Sequence, residues 1–315
     1  MNNKKSIAVI GQGFVGGSLT TVMHERGFDV YAYDKAGHYV SEAKPCLGDV
    51  CGGCPTTISE LIGDLEDGAT PGFSGVYFVC VPTPMYEDGS ADISIVESVL
   101  DELAAVPGNR IAVIKSTIPP GTTEAFNKKY EPTGLRVIFN PEFLTEANAL
   151  DDMRNQNRIV LGGPRPYINK VKQVFQSAFP KVQIIKTSSS TAEMVKYFTN
   201  IQLAARVVLS CELYQICDKL DSMGMNIDYD KVKEYACYDQ RLGGSHMNVP
   251  GIDGVLGARG SCFPKDINAL ISLAKKIGVN PTVMSGVWSK NLEIVPEEHR
   301  DWEKMLGRAV SKKKS

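Results

Sequence analysis

Long apolar runs are missing from this 315-residue chain, and no segment approaches the roughly 18 apolar residues that a membrane span needs. The opening Met1-Asn2-Asn3-Lys4-Lys5 leads into only a short apolar run before Gly11, too short for the core of a secretory leader. Charge of either sign is not in excess: Lys+Arg 34 against Asp+Glu 36 leaves −2, so no broad positive field recommends a nucleic acid or an anionic membrane as partner. Eight cysteines are too sparse for a disulfide scaffold in a chain of this length. The expectation is a cytoplasmic protein whose cysteines are mostly thiols, with Lys312 to Lys314 as a solvated end. With 43% hydrophobic residues there is enough apolar material for about two domains of roughly 150 residues each.

Short apolar runs alternate with helical patterns from the start. Ser6–Ile10, Asp29–Tyr33, Val76–Val81, Ile111–Lys115, Arg136–Asn140, Arg158–Leu161 and Val182–Ile185 read as strands, with helices near Val15–Arg26, Ile93–Ala105, after Gly121 and at Ile168–Phe179. That alternation predicts an α/β domain over residues 1–186, a Rossmann-type doubly wound parallel sheet covered on both faces. From Thr187 the pattern changes. Ser188 to Thr191 offer helix caps, and a stretch without Pro or Gly runs to about Leu220 as one long helix. Asp266–Ile277 and Pro281–Glu293 read as further helices, which makes residues 187–296 an all-helical domain and leaves 297–315 as a charged tail or helix.

Gly11-Gln12-Gly13-Phe14-Val15-Gly16 lies between a predicted strand and helix. The first glycine suits a tight turn, the second the close approach of a pyrophosphate and the third helix–strand packing. Asp34, at the end of the second strand, can accept hydrogen bonds from a ribose diol and repel a 2′-phosphate. Dinucleotide binding with NAD favoured over NADP follows, with Lys35 pulling weakly the other way. The bland alternative is a glycine turn beside a surface aspartate. Further on, Gly260-Ser261-Cys262-Phe263-Pro264-Lys265-Asp266 sets a cysteine just ahead of a helix, with a cation and a carboxylate in the next turn. Both the helix N-terminus and the cation stabilise a thiolate. A thiol beside a nicotinamide domain can oxidise an aldehyde through a thiohemiacetal and a thioester.

These motifs resemble the UDP-glucose/GDP-mannose dehydrogenase family, whose members oxidise the C6 alcohol of a nucleotide sugar to a carboxylate with two NAD molecules. The resemblance extends through Val81-Pro82-Thr83-Pro84, Ser116-Thr117-Ile118-Pro119-Pro120-Gly121-Thr122-Thr123, Asn140-Pro141-Glu142-Phe143-Leu144 with Glu146, and Ala192-Glu193 with Lys196 and Asn200, to the cysteine motif. It implies that Cys262 carries the thiohemiacetal and thioester while Lys196 and Asp266 position the reacting oxygen and a water. It further implies Glu142 as general base, Thr117 as an orienting group and Asn200 as a contact to sugar and oxyanion. Gly11, Gly13, Phe14, Val15, Gly16, Asp34, Lys35, Thr83, Thr117, Glu146 and Lys265 are the implied cofactor contacts. Phe143, Leu144, Lys196, Asn200, Arg241, Gly257 and Arg259 are the implied substrate contacts, Arg241 reaching a neighbouring subunit's substrate. The long helix from Thr191 is the implied core of a homodimer, and the first substrate to expect is UDP-glucose, with UDP-glucuronate as product.

Taken by residue type alone, Glu193, Lys196 and Asn200 share one helix face and could form a solvated stripe. Glu142 could be a turn residue and Thr117 the end of a strand. The chain also departs from the family. Gly257-Ala258-Arg259-Gly260 stands where members carry Gly-Phe-Gly-Gly, and a long cation replaces a glycine with access to positive φ. Arg259 is expected either to weaken catalysis or to meet a substrate phosphate. Most members have a further α/β domain over the nucleotide, so those contacts would come from a neighbouring subunit, Arg241, Arg259 and the tail, or the substrate would differ. The loop Pro250–Leu256 is longer than usual, without an inferred role. Cys46, Cys51 and Cys54 could offer thiolates to zinc with His38 nearby, but their spacing is not that of a common zinc module and no metal is expected. Cys80, Cys211, Cys217 and Cys237 read as core. Two other functions fit the same motifs: a single-step dehydrogenase of hydroxyacid type, and a cofactor-binding assembly or regulatory module without turnover.

Overall fold

A computed structural model describes residues 5–36, 57–66, 72–106, 108–251 and 254–312, apart from the side chains of Asp64 and Glu66. The chain divides into two compact units, Met1–Thr83 with Ile93–Lys196, and Pro84–Asp92 with Tyr197–Ser315. Cys46, Cys51, Cys54 and His38, the sequence's zinc candidates, lie outside the described residues.

The first unit is built on seven strands: β1 (Ser6–Ile10), β2 (Asp29–Tyr33), β3 (Phe73–Val79), β4 (Ile111–Ile114), β5 (Arg136–Phe139), β6 (Arg158–Gly162) and β7 (Gln183–Thr187). They form one sheet in the order β2-β1-β3-β4-β5-β6-β7. All pairs are parallel except β5 with β6, which meet antiparallel at Phe139 and Gly162, so the sheet is mostly rather than wholly parallel. The connection responsible holds a turn of 3-10 helix (Glu146–Asn148) and the short α5 (Ala149–Arg154), and the chain turns back instead of crossing over the sheet.

Successive residues of a strand face opposite sides, and the central strands bury both. Ala8, Ile10, Tyr77, Val79, Ala112 and Ile114 pack on one face beneath α2 (Ile58–Glu66), α3 (Ser94–Ala105) and α4 (Thr122–Lys129). Ile7, Val9, Val76, Phe78, Ile111 and Val113 pack on the other beneath α1 (Phe14–Glu25) and α6 (Arg165–Ala178). The apolar runs of the central strands β1, β3 and β4 are therefore continuous because their buried residues face the core on both sides of the sheet.

The predicted long helix is α7 (Ser189–Ser222), 34 residues. The boundary between the two compact units falls inside it, after Lys196. The second unit holds the rest of α7 with α8 (Tyr229–Ala236), α9 (Phe263–Lys276), α10 (Thr282–Ile294) and α11 (Asp301–Lys304). Ala204, Val208, Cys211, Tyr229, Val249, Ala258 and Ile294 form its main core. Cys80, Cys217 and Cys237 are only partly buried, so of the four cysteines assigned to the core Cys211 alone is fully enclosed.

The segment after α10 is not a loose charged tail as far as residue 312. Trp302 is 1% exposed and packs with Val295, Ala309, Trp288 and Met85. Met85 N–H donates to the Ala309 carbonyl (2.8 Å), and Ser311 N–H donates to the Met85 carbonyl (2.8 Å), which ties this segment to the Pro84–Asp92 excursion. One tryptophan among acidic and basic neighbours makes no periodic pattern, which is why its burial was invisible in the sequence. Trp302→Ala is expected to lower the second unit's stability by about 3 kcal/mol, as truncation of a buried aromatic does. Urea unfolding monitored by circular dichroism checks this, and an unchanged midpoint would mean that the segment is not anchored through Trp302.

Candidate active site

In the first unit the candidate residues follow the carboxyl ends of the parallel strands, the edge where open α/β sheets bind ligands. β1 ends in Gly11, β2 in Asp34, β3 leads to Thr83, β4 to Lys115 and Thr117, and β5 to Asn140 and Glu142. Gly11 has φ +89°, and a Cβ there would lie 2.7 Å from the Cys80 carbonyl oxygen. A Cβ on Gly16 would lie 1.8 Å from the Gly11 carbonyl oxygen, so the first turn of α1 sits directly on the loop. Gly13, by contrast, is exposed, has open space where its Cβ would point, and provides no side-chain cap to α1. The start of α1 is therefore open at Gly13, and a helix N-terminus open in this way suits the approach of a pyrophosphate.

Asp34 closes the loop. Gln12 N–H donates to Oδ2 (2.7 Å) and Ala36 N–H to Oδ1 (2.8 Å), leaving one further lone-pair direction on each oxygen for a diol. Phe14 and Val15 are partly exposed at the start of α1, and Lys35 is exposed beside Asp34. Thr83 and Thr117 are buried behind the same edge, whereas Glu146 is exposed, opening a short turn of 3-10 helix ahead of α5.

Glu142 is 8% exposed, and its Oε2 lies 2.7 Å from Lys115 Nζ. The approach is close, but it is not an aligned hydrogen bond, since Oε2 has no hydrogen-bond partner among the described residues. Lys115 donates to Asn140 Oδ1 (2.9 Å), whose Nδ2 in turn donates to the Val160 carbonyl (2.8 Å). Glu142 is thus a buried carboxylate with a cation beside it and an acceptor direction to spare, the state a general base for water needs. Its own carbonyl accepts from Lys196 Nζ, and Phe143 N–H donates to Oε1 (2.7 Å). Phe143 lies under the Arg158 guanidinium at 4.3 Å, and Leu144 turns into the core of the sheet. Pro141 to Leu144, Asp152 and Arg158 line a cavity of about 270 Å³.

Sequence reasoning passed over Lys115 and Asn140 as the tail of a strand. The signal was a lysine at the end of an apolar run, directly before the Ser-Thr-Ile-Pro-Pro stretch. Nearby, burial pushes the Cys80 thiol up to about 12; Lys115 opposes the shift and Glu142 adds to it, so this cysteine stays protonated at neutral pH.

The face carrying Glu193, Lys196 and Asn200 is not a solvated stripe, since all three are buried. Glu193 accepts the N–H groups of Gly121 (2.7 Å) and Thr123 (2.8 Å), which terminates the N-terminus of α4 with a carboxylate.

In the second unit, Cys262 is the N-cap residue of α9 and half-buried. One turn on, Asp266 is 1% exposed; Lys265 Nζ donates to Oδ1 (2.6 Å) and Asn200 Nδ2 to Oδ2 (2.5 Å). Burial works against the charge of Lys265, but Asp266 and the Cys262 sulfur outweigh it and raise its pKa, so Lys265 is a cation beside the thiol. Arg241 is 89% exposed and pairs only with Asp239 among the contacts seen (2.6 Å). Gly257 is held where a Cβ would strike Val295 Cγ2 at 2.3 Å. Arg259 does not adopt positive φ, and its Nε donates to the His299 carbonyl (2.9 Å).

Comparison with known proteins agrees with both units. The sequence profile of the UDP-glucose/GDP-mannose dehydrogenase family's NAD binding domain matches residues 5–179, and that of its central domain matches 190–293. Bacillus subtilis YtcA is 32% identical over 284 residues, 84% of this chain and 62% of that protein. UDP-glucose 6-dehydrogenase AglM of Haloferax volcanii is 29% identical over 308 residues, 90% of this chain and 69% of that one. The structure of a UDP-glucose dehydrogenase from Pyrobaculum islandicum superposes with a TM-score of 0.72 at 26% identity, over 91% of this chain and 68% of that one. The chain thus spans less than two thirds of the length of the first of these relatives. No helix among the described residues is long and apolar enough to cross a membrane.

Glu193 provides a pH test of the buried arrangement. Burial raises its pKa above the ordinary 4.5, against the lowering effect of the Thr123 and Gly121 contacts. The folded form therefore holds the proton more tightly than the unfolded one, and this contribution to stability is complete below 4.5 and lost as pH rises through the raised value. Wild type should lose stability relative to Glu193→Gln as the pH of urea titrations is raised from 4.5 toward neutrality. A gap that does not vary with pH would contradict it.

Proposed function

The chain belongs to the UDP-glucose/GDP-mannose dehydrogenase family, and from that premise we propose that it oxidises the C6 hydroxyl of a nucleotide sugar to a carboxylate in two steps, UDP-glucose being the first substrate to test. The observation that carries this reading is the thiol at the N-cap of α9 with the buried Lys265–Asp266–Asn200 array one turn behind it. NAD, held by the Gly11–Gly16 turn and Asp34, supplies the hydride acceptor for each oxidation. The alcohol first loses a hydride and a proton to become an aldehyde, with the Lys196 ammonium as the compact cation for the developing alkoxide. The Cys262 thiolate then forms a C–S bond to the aldehyde carbon, and loss of a second hydride leaves a thioester on the chain. Water adds to the thioester carbonyl, Glu142 takes its proton, the C–S bond breaks and the thiolate returns. Overall, one alcohol, two NAD⁺ and one water give one carboxylate, two NADH and three protons.

Each residue's environment supports its part. Lys115 sets a cation beside Glu142, and Asp266, held by Lys265 and Asn200, is a fixed acceptor that can position a water. Thr117 follows β4 at the strand ends that take the cofactor. The same reading makes the protein a homodimer through α7, where Phe198, Leu209, Leu213 and Ile216 are exposed and Arg241 is free to reach a partner's substrate.

Incubation with UDP-glucose, GDP-mannose and UDP-N-acetylmannosamine, followed by NADH absorbance, should give two NADH per molecule of one sugar, and Cys262→Ser should abolish the acid product. One NADH per substrate with activity surviving Cys262→Ser would transfer the chain to single-step dehydrogenation; NAD binding without turnover of any sugar would leave only an assembly role. Leu213→Glu should halve the mass measured by sedimentation equilibrium, and an unchanged mass would remove α7 from the interface.

A further inference from the structure

The loop that delivers Cys262 into α9 is tied down by side chains from distant parts of its own unit. Gly257 N–H donates to Cys211 Sγ (3.3 Å). The buried Asn291 holds Ala258 by both backbone groups, accepting its N–H at Oδ1 (2.7 Å) and donating from Nδ2 to its carbonyl (3.0 Å). Gly260 N–H donates to Asp301 Oδ1 (3.2 Å). Between these anchors Arg259 donates to the His299 carbonyl (2.9 Å) and brings its guanidinium to 3.7 Å from Asp301 Oδ2. Asp301 is itself fixed: Trp302 N–H donates to its Oδ1 (2.9 Å), and the Trp302 ring is buried in the small core of the same segment.

Gly260 is the point where such fixing matters. It has φ +79° and open space around the position of a Cβ, so nothing in its own packing stops rotation two residues before the thiol. Asn291 restrains the loop on the far side of Arg259, and Asp301 restrains it at Gly260 itself. Asp301 also supplies the countercharge for Arg259, whose side chain is only 16% exposed. That carboxylate therefore acts on the loop at two neighbouring residues, Arg259 and Gly260, the second of them the pivot.

We propose that Asp301 is a positioning residue for Cys262: its carboxylate grips the Gly260 N–H and the Arg259 guanidinium, and so fixes the direction in which the loop presents the sulfur. The inference rests on the reading of Cys262 as the nucleophile and adds to it a residue of the segment beyond α10. It also accounts for Arg259, because the cation that replaces the family's glycine has its partner 42 positions further along the same chain.

The test is the rate at which iodoacetamide alkylates each cysteine of the full chain, resolved by peptide mass spectrometry, alongside NADH turnover. In Asp301→Ala the rate at Cys262 should rise about three- to tenfold, as expected for release of one or two hydrogen bonds, with Cys211 and Cys237 unchanged. Turnover should fall by a similar factor with KM nearly constant, a split that general loosening would not produce. Asp301→Asn, which keeps an oxygen for the Gly260 N–H, should return Cys262 to within about twofold of wild type. Asp301→Ser takes the place of the alanine variant if that one does not fold. An unchanged Cys262 rate, or a rise shared equally by Cys211 and Cys237, would overturn the proposal. A wild-type chain that oxidises no sugar yet shows the Cys262-specific rise would sink the proposed function and leave the positioning role standing.

Discussion

A carboxylate taken out of water keeps its charge only if donors or a cation go with it, and much of the local structure within each unit is the consequence. Three of the candidate carboxylates are buried, Glu142 and Glu193 in the first unit and Asp266 in the second. Glu142 has Lys115, Glu193 has the first amides of α4, and Asp266 has Lys265 and Asn200. Each pairing recruits a different element. One uses the end of β4, one uses the unsatisfied N–H groups of a helix start, and one spans the middle of α7 and the first turn of α9. Removing a donor would leave an uncompensated buried charge, so these residues hold the backbone as well as any chemistry they perform.

The pairings also separate tasks among similar groups. Asp266 has both oxygens occupied, which suits a fixed dipole. Glu142 has a cation close by but no aligned donor on Oε2, which in the proposed reading is the direction left for a water. Glu193 is committed to the amides of α4. Residue type alone could not have sorted these three, because the difference lies in how many donors each one meets.

Much of the fold was legible because burial on both faces writes continuous apolar runs, and because 34 residues without Pro or Gly leave few alternatives to one helix. The glycine turn was legible for the same kind of reason: Gly11 and Gly16 each answer a local backbone demand. What stayed hidden depends on partners distant in sequence. The stripe of Glu193, Lys196 and Asn200 has the spacing of a solvated face, and only Gly121, Thr123, Glu142 and Asp266 turn it inward. Arg259 looked like an intrusion into a glycine loop because His299 and Asp301 lie beyond the last recognisable motif. The antiparallel join of β5 to β6 was equally hidden, since strand direction is set by the path of the connection and not by the strand's own residues.

Two cysteines, Cys80 and the proposed nucleophile Cys262, sit in contrasting environments. Cys80 follows the end of β3, at the same edge as the cofactor turn, yet burial holds its thiol near 12 and the adjacent Glu142 adds to that cost. Proximity to the catalytic candidates does not make it reactive. Cys262 is partly exposed, caps a 14-residue helix whose N-terminal amides favour negative charge, and has the Lys265 cation in the next turn. A nucleophile must stay reachable while the groups that support it are kept from water, and the chain meets both demands by burying Asp266 within the helix and leaving the thiol on the loop that enters it. If Cys262 is the nucleophile proposed above, that division makes the loop's conformation the variable on which its reactivity turns, and the anchors at Asn291 and Asp301 then matter as much as the sulfur does.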